Sequence, residues 1–278
     1  MKRAGITGWP VDHSLSPLLH GYWLKEYGID GEYLRLPAKP EEFDAVMARA
    51  RKEGFAGVNV TVPHKEAAFK LSEKRDKAAE IVGAVNLLLF GAGGIEGRNT
   101  DHIGLKQSLT ESLGEDSLAK KTVVLLGAGG AARAALLALD ELGVAQIHVL
   151  NRSQERAALL ANAMALNIGA QLVPGPLSVW SMVARSAVLV INTTSAGMKG
   201  LDDLELDLQM LAKDAAVCDI VYNPLKTALL KDAAARGHRT VDGLGMLMHQ
   251  AAPSFEAFFG VRPKVTPGLR ALLEQALA

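Results

Sequence analysis

The chain holds one cysteine in 278 residues, Cys218, and that scarcity excludes a disulfide framework and a cysteine-ligated metal cluster. Cys218 lies in the apolar run 215–221, where a small thiol serves as core filler, and a lone reduced thiol suits the cytoplasm. No apolar stretch reaches the roughly 18 residues of a membrane-spanning helix, and the opening Met1-Lys2-Arg3-Ala4-Gly5-Ile6-Thr7-Gly8 is too poor in apolar residues for a signal peptide. An excess of charge is missing as well. Lys plus Arg and Asp plus Glu each number 30, so no global field gathers nucleic acid or an anionic membrane, and an anion has to be caught by local groups. Together these absences point to a soluble, cytoplasmic protein with a small-molecule partner. Aromatics supply only 5% of residues, but 49% are hydrophobic, enough for a sizeable core, and the length is comfortable for two domains. There is no internal repeat.

Strand-like and helix-like segments alternate, the pattern of an α/β sheet. Residues 4–7 read as a short buried strand, followed by Ser14-Leu15-Ser16-Pro17, in which the proline suits a first helical turn and Ser16 is the candidate N-cap. The two hydroxyls either satisfy orphan backbone donors or hold a ligand carboxylate. Residues 33–36 read as a strand and 40–51 as a helix closed by Gly54. Next, Val58-Asn59-Val60-Thr61-Val62-Pro63-His64-Lys65 alternates apolar and small polar residues until a proline that cannot continue a ladder. That delivers Thr61 and Lys65 to the lip of a sheet, Lys65 being by its own pattern either a solvated charge or a functional cation.

Residues 66–80 carry charges at helical spacing, and 83–90 return to a strand with one amide, Asn86, that needs partners from the fold or from a ligand. Gly91-Ala92-Gly93-Gly94 imitates a nucleotide loop but runs into Ile95-Glu96-Gly97-Arg98 instead of a helix, so it reads as a hairpin turn. Asp101 stands before the helical stretch 103–113, as a cap or as something more.

The sharpest local signal follows. Residues 122–126 form a β-branched and leucine run, Gly127-Ala128-Gly129-Gly130-Ala131-Ala132 comes at once, and 133–142 is a good helix. This is a G-x-G-x-x-A dinucleotide turn in its strand-turn-helix setting, with the helix N-terminus placed to receive a pyrophosphate. After the next strand, 146–150, an NAD site commonly carries an acidic residue on the ribose; here Asn151-Arg152-Ser153 stands instead, with Arg156 one turn on. Guanidinium groups favour a 2′-phosphate, so NADP(H) is the expected cofactor. Further strands at 187–191 and 215–221 lead into the small-residue loop 192–198 and into Tyr222-Asn223-Pro224-Leu225-Lys226. An apolar helix opens at Gly243, and Thr266-Pro267 caps the last one.

Taken as an ordered set, Ser14 to Pro17, Asn59 to Lys65, Gly83 to Asn86, Asn99 to Asp101, the Gly127 turn, Asn151-Arg152, and segments 192–198, 219–226 and 242–250 resemble shikimate dehydrogenases from end to end. The resemblance implies an N-terminal α/β substrate-binding and catalytic domain (1–103 and 240–278), a Rossmann-type NADP-binding domain (104–239), and C-terminal helices returning to the first domain. It implies reversible NADPH-dependent reduction of 3-dehydroshikimate to shikimate in aromatic amino-acid biosynthesis; no metal is expected, and the sequence leaves monomer and homodimer both open.

Carried over by position, Lys65 and Asp101 match the family's catalytic pair. Ser14, Ser16 and Tyr222 resemble the contacts to the substrate carboxylate, and Thr61, Asn86, Asp101 and Gln250 those to its hydroxyl and keto groups. Gly127, Ala128, Gly129, Gly130, Ala131, Asn151, Arg152, Arg156, Thr194 and Gly243 match cofactor positions. Three positions depart from the family: His102 stands where glycine is usual after Asn-Thr-Asp, Leu87 replaces a threonine, and Gly21 follows His20 where asparagine is frequent. Beside Asp101, His102 either alters the hydrogen bonding and pH profile of that carboxylate or points to solvent without effect, and the second is the preferred reading. Quinate is an alternative substrate. A non-catalytic NADP-binding regulator would be expected to lose Lys65 or Asp101, and a reductase of unrelated ketones would not need the serine, threonine and amide set.

Overall fold

The computed structural model describes residues 1–278, which divide into two compact units. Met1–Thr100 with Met248–Ala276 make the first, and Asp101–Leu247 the second. No helix is long and apolar enough to cross a membrane.

In the first unit, β1 (Lys2–Gly8), α1 (Ser16–Glu26), β2 (Gly31–Pro37), α2 (Phe43–Lys52) and β3 (Phe55–Val60) alternate, and the three strands run parallel. Short elements follow: α3 (Lys65–Leu71), β4 (Lys74–Arg75), α4 (Lys77–Val82), then β5 (Leu87–Gly91) and β6 (Gly94–Arg98). The sheet order is β2-β1-β3-β5-β6-β4, with β3–β5 and β5–β6 antiparallel. Strand β5 turns into β6 at Gly91 and Gly94, the expected hairpin.

Three local expectations change. Residues 66–80 are not one helix. Helix α3 stops where Ser72 turns extended and its hydroxyl donates back to the Ala68 carbonyl at 2.6 Å, and α4 starts afresh under the Asp76 cap, whose carboxylate accepts from the Ala79 amide at 2.7 Å. Next, Gly83 ends α4 in the left-handed region at φ 68°, so the strand begins at Leu87 instead of Gly83. Finally, Ser16 is the first residue of α1 and not its cap. Leu15 already has helical dihedrals, and the Ser14 hydroxyl accepts from the Ser16 amide at 3.2 Å.

The second unit contains α5 (Asp101–Leu113), β7 (Thr122–Leu126), α6 (Gly130–Glu141), β8 (Gln146–Asn151), α7 (Gln154–Met164), β9 (Gln171–Pro176), α8 (Trp180–Val183), β10 (Leu189–Asn192), β11 (Ala216–Asp219), α9 (Ala228–Ala235) and β12 (Arg239–Val241). All six strands are parallel in the order β12-β11-β10-β7-β8-β9, the doubly wound arrangement whose order reverses between β7 and β10. Its central strands are apolar runs because helices cover both faces.

Last come α10 (Gly243–Phe259) and α11 (Pro267–Leu277), the latter capped by Thr266, whose hydroxyl accepts from the Leu269 amide at 3.2 Å. Within the first unit, Phe255 meets Trp23 edge-on at 5.4 Å, and the Trp23 indole donates to the Lys264 carbonyl at 3.0 Å. The chain's C-terminal part thus helps to close the core of the unit that its N-terminus begins.

Candidate active site

In the first unit the polar residues singled out by sequence follow the carboxyl ends of parallel strands, where open α/β sheets present their loops. Ser14 and Ser16 come after β1, and Thr61 and Lys65 after β3. Gly8 is required here, because a Cβ on it would collide with the Thr61 side chain. The Thr61 amide donates to Thr7 O at 2.9 Å and its carbonyl accepts from His64 at 3.0 Å, which turns the chain into α3 with Lys65 at its first position. His64 is structural: it is buried, its Nε2 lies 2.8 Å from Ala38 O, and its ring stacks on Phe43 at 4.8 Å.

Asn86 is held against the same strand end. Its carbonyl accepts from the Val60 amide at 2.8 Å, while the Val85 amide donates to Lys65 O at 2.9 Å. The Asn86 amide group donates to Thr100 Oγ1 at 3.0 Å and reaches Gln250 Oε1 at 3.4 Å, and its oxygen accepts from the Thr100 amide at 2.8 Å. Asn86 and Gln250 are therefore neighbours, although 164 residues separate them.

Behind them lies a set of polar residues not singled out as site residues from sequence. Asn59 is 6% exposed; its Oδ1 accepts from the Tyr33 hydroxyl at 2.8 Å, and its Nδ2 donates to Asn86 O at 3.1 Å and Ser254 Oγ at 2.9 Å. Tyr33 also has a side-chain hydrogen bond with Ser16, and burial holds its phenol well above the ordinary range despite that bond. One hydrogen-bonded series thus runs from Ser16 through Tyr33 and Asn59 to Asn86 and Gln250. An asparagine in a strand otherwise buried and apolar is the sequence signal that could have found it.

In the second unit Gly127 leaves β7 at φ 112°, and a Cβ there would lie 2.8 Å from Thr193 Oγ1. Gly129 and Gly130 face open space, and α6 starts at Gly130 without a side-chain cap, so its first amides are unblocked by side chains. This backbone fits a pyrophosphate. At the end of β8, the Asn151 side chain donates to Ser153 O at 3.0 Å, and Ser153 caps α7 by accepting from the Arg156 amide at 3.3 Å. Arg152 and Arg156 are exposed at that helix start, the placement expected for holding a ribose phosphate. Thr194 follows β10, and Tyr222 follows β11 with a phenol pushed up by burial, so it stays a neutral donor. Gly243 lies so close to Ile220 that a Cβ would strike its carbonyl. Asp101 opens α5 and is 6% exposed.

Residues 6–88 match the family described as shikimate dehydrogenase substrate binding domain, 108–213 match shikimate / quinate 5-dehydrogenase, and 243–273 match the shikimate 5′-dehydrogenase C-terminal domain. The shikimate dehydrogenase (NADP(+)) of Paramagnetospirillum magneticum is 48% identical over 278 residues, covering 98% of each chain. The chain belongs to the shikimate dehydrogenase family. Among solved shikimate dehydrogenases, the Thermus thermophilus enzyme in complex with NADP(H) and shikimate superposes with a TM-score of 0.87 at 35% identity, covering 100% of both chains. The quinate dehydrogenase of Corynebacterium glutamicum in complex with NAD gives 0.89 at 32% identity, covering 99% of both.

One departure from the common shikimate dehydrogenase pattern needs correction. His102 does not face solvent. It is 7% exposed, and its Nε2 lies 3.6 Å from Glu141 Oε1, while Glu141 Oε2 takes Lys106 Nζ at 3.0 Å. The packing of α5 on α6 turns this side chain inward, a tertiary fact invisible in the local pattern.

Proposed function

We propose that this protein catalyses the reversible NADPH-dependent reduction of 3-dehydroshikimate to shikimate, in the cytoplasm, as a monomer or homodimer. The observation that carries the reading is the full-length match to NADP-dependent shikimate dehydrogenases together with retention of Lys65, Asp101 and the serine, threonine and amide set. Bound NADPH supplies the hydride. Everything else falls to this chain's residues. Lys65 stabilises negative charge as it develops on the reduced oxygen and donates the proton there. Asp101 holds the ammonium in position. Ser14, Ser16 and Tyr222 bind the carboxylate through neutral donors, and Thr61, Asn86 and Gln250 take the ring hydroxyl and keto groups. A ligand lacking those groups would leave buried polar atoms unpaired, which is the source of selectivity.

The test is a steady-state assay of purified protein with shikimate or quinate, each with NADP⁺ or NAD⁺. Turnover only with shikimate and NADP⁺ is expected; no turnover with any pair would reject the proposal. The likeness to a quinate dehydrogenase favours a second reading, in which quinate is also oxidised, and the same assay decides it.

For the cofactor, Arg152→Ala is expected to raise the KM for NADPH by about 10- to 100-fold, the worth of a charge-assisted hydrogen bond, with little change for NADH. Equal effects on both cofactors would remove Arg152 from phosphate recognition.

A further inference from the structure

Two parallel strands of the second unit end side by side on a polar pair. Asn192 closes β10, Asp219 closes β11, and they are register partners with 0% exposure each. Asp219 Oδ1 accepts from Asn192 Nδ2 at 3.0 Å and from the Val221 amide at 3.1 Å, and Oδ2 accepts from the Thr227 hydroxyl at 2.7 Å. Those three donors oppose the burial that pushes this carboxyl up to about 6. A carboxylate so enclosed is costly, and a residue that merely filled space would be apolar.

The pair reaches outward into two loops. Having given Nδ2 to Asp219 and to Ala196 O at 3.2 Å, Asn192 must turn its Oδ1 to the next loop, where it accepts from Thr194 N at 3.0 Å and Thr194 Oγ1 at 2.7 Å. Thr194 Oγ1 in turn accepts from the Ala196 amide at 3.1 Å. On the other side, Val221 is fixed directly before Tyr222, and Thr227 caps α9 by accepting from the Leu230 amide at 3.3 Å. The loops are also tied together, since the Lys199 amide donates to Asn223 O at 2.9 Å.

We propose that Asp219 is a positioning residue for the reaction, whose buried carboxylate holds the Thr194 loop through Asn192 and the Tyr222 segment through Val221 and Thr227. A cofactor contact and a substrate contact then share one anchor. This rests on the roles proposed above for Thr194 and Tyr222.

The test compares Asp219→Ala, Asp219→Asn and Asn192→Ala at a temperature where circular dichroism shows each fully folded. Asp219→Ala is expected to raise the KM values for NADPH and shikimate by about 10-fold each, because both contacts lose their alignment. Asp219→Asn should recover most of that loss: its oxygen accepts from Val221 and Asn192, and its NH₂ donates to a turned Thr227 hydroxyl. Asn192→Ala cuts only one branch. It should raise the KM for NADPH while leaving that for shikimate within about twofold, and it carries the test if Asp219→Ala does not fold. Lowered melting temperature with unchanged constants would overturn the proposal, as would an Asn192→Ala variant that shifts both KM values alike. Thr194→Ala and Tyr222→Phe separate the two levels. If neither alters a KM, the site reading fails and the proposal with it; if they do and Asp219→Ala and Asn192→Ala do not, the positioning role alone fails.

Discussion

Replacing Lys65 by alanine is expected to lower kcat by on the order of 10²-fold or more, with NADPH binding little changed. Hydride delivery to a ketone leaves an alkoxide, and the barrier includes both its charge and its need for a proton. In the proposed reaction the Lys65 side chain would serve both needs, so its loss should fall on the chemical step more than on the ground-state complex. The fold should tolerate the change. Lys65 is only partly buried and opens α3, and the bond that fixes this turn uses its backbone carbonyl, which accepts from the Val85 amide at 2.9 Å. Alanine keeps that carbonyl and suits a helix.

Lys65→Arg separates the two roles, because arginine keeps the charge but does not release a proton at neutral pH. An activity between those of the alanine variant and the wild type is therefore expected. Steady-state kcat, with NADPH affinity measured by fluorescence, decides the matter. Near-normal turnover of Lys65→Ala would remove the residue from the chemistry.

What sequence made legible follows from how far each feature reaches along the chain. The G-x-G-x-x-A turn is local, so the strand, the glycines and the helix could be read together, and β7 and α6 lie where they were expected. Strands β8, β10 and β11 were equally visible, since a parallel strand covered on both faces is a continuous apolar run. Edges were not. Strand β9 contains Pro174 and Pro176, which an edge tolerates but which read as breakers, and β12 has only three residues. The helix expected over 66–80 failed because charge spacing does not register the back-bonded Ser72 or the Asp76 cap.

The candidate site divides in the same way. Residue types named the serines, Thr61, Lys65, Asn86 and Gln250, but only the fold brings Asn86 within reach of Gln250. It took register to reveal Asn192 opposite Asp219, and helix packing to turn His102 toward Glu141. Polar residues that act through other polar residues leave a weak trace in sequence, because their partners are scattered along it.

His20 should make the first unit sensitive to acid. Its ring is 1% exposed, stacks on Tyr33 at 3.9 Å, lies edge-on to Trp23 at 5.9 Å, and has no partner at Nδ1. Burial lowers its pKa from 6.5 to about 3, so the folded protein keeps it neutral where the unfolded chain already binds a proton. The sign follows from that difference. Stability from a neutral His20 is fully present above about pH 6.5 and drains away as pH falls towards 3, at up to about 1.4 kcal/mol per pH unit. The whole window is worth at most roughly 5 kcal/mol, a large share of a domain's net stability.

Phenylalanine at this position would keep the stack and remove the titration. Between pH 7.5 and 5, urea unfolding should therefore cost the wild type about 2 kcal/mol more stability than His20→Phe, with both sharing the background titration of the other groups. The proton resonances of the His20 ring should also stay unshifted down to about pH 4 in the folded protein. Parallel stability curves for the two proteins would mean that His20 takes up its proton in the native state, and the acid sensitivity would then have to arise elsewhere.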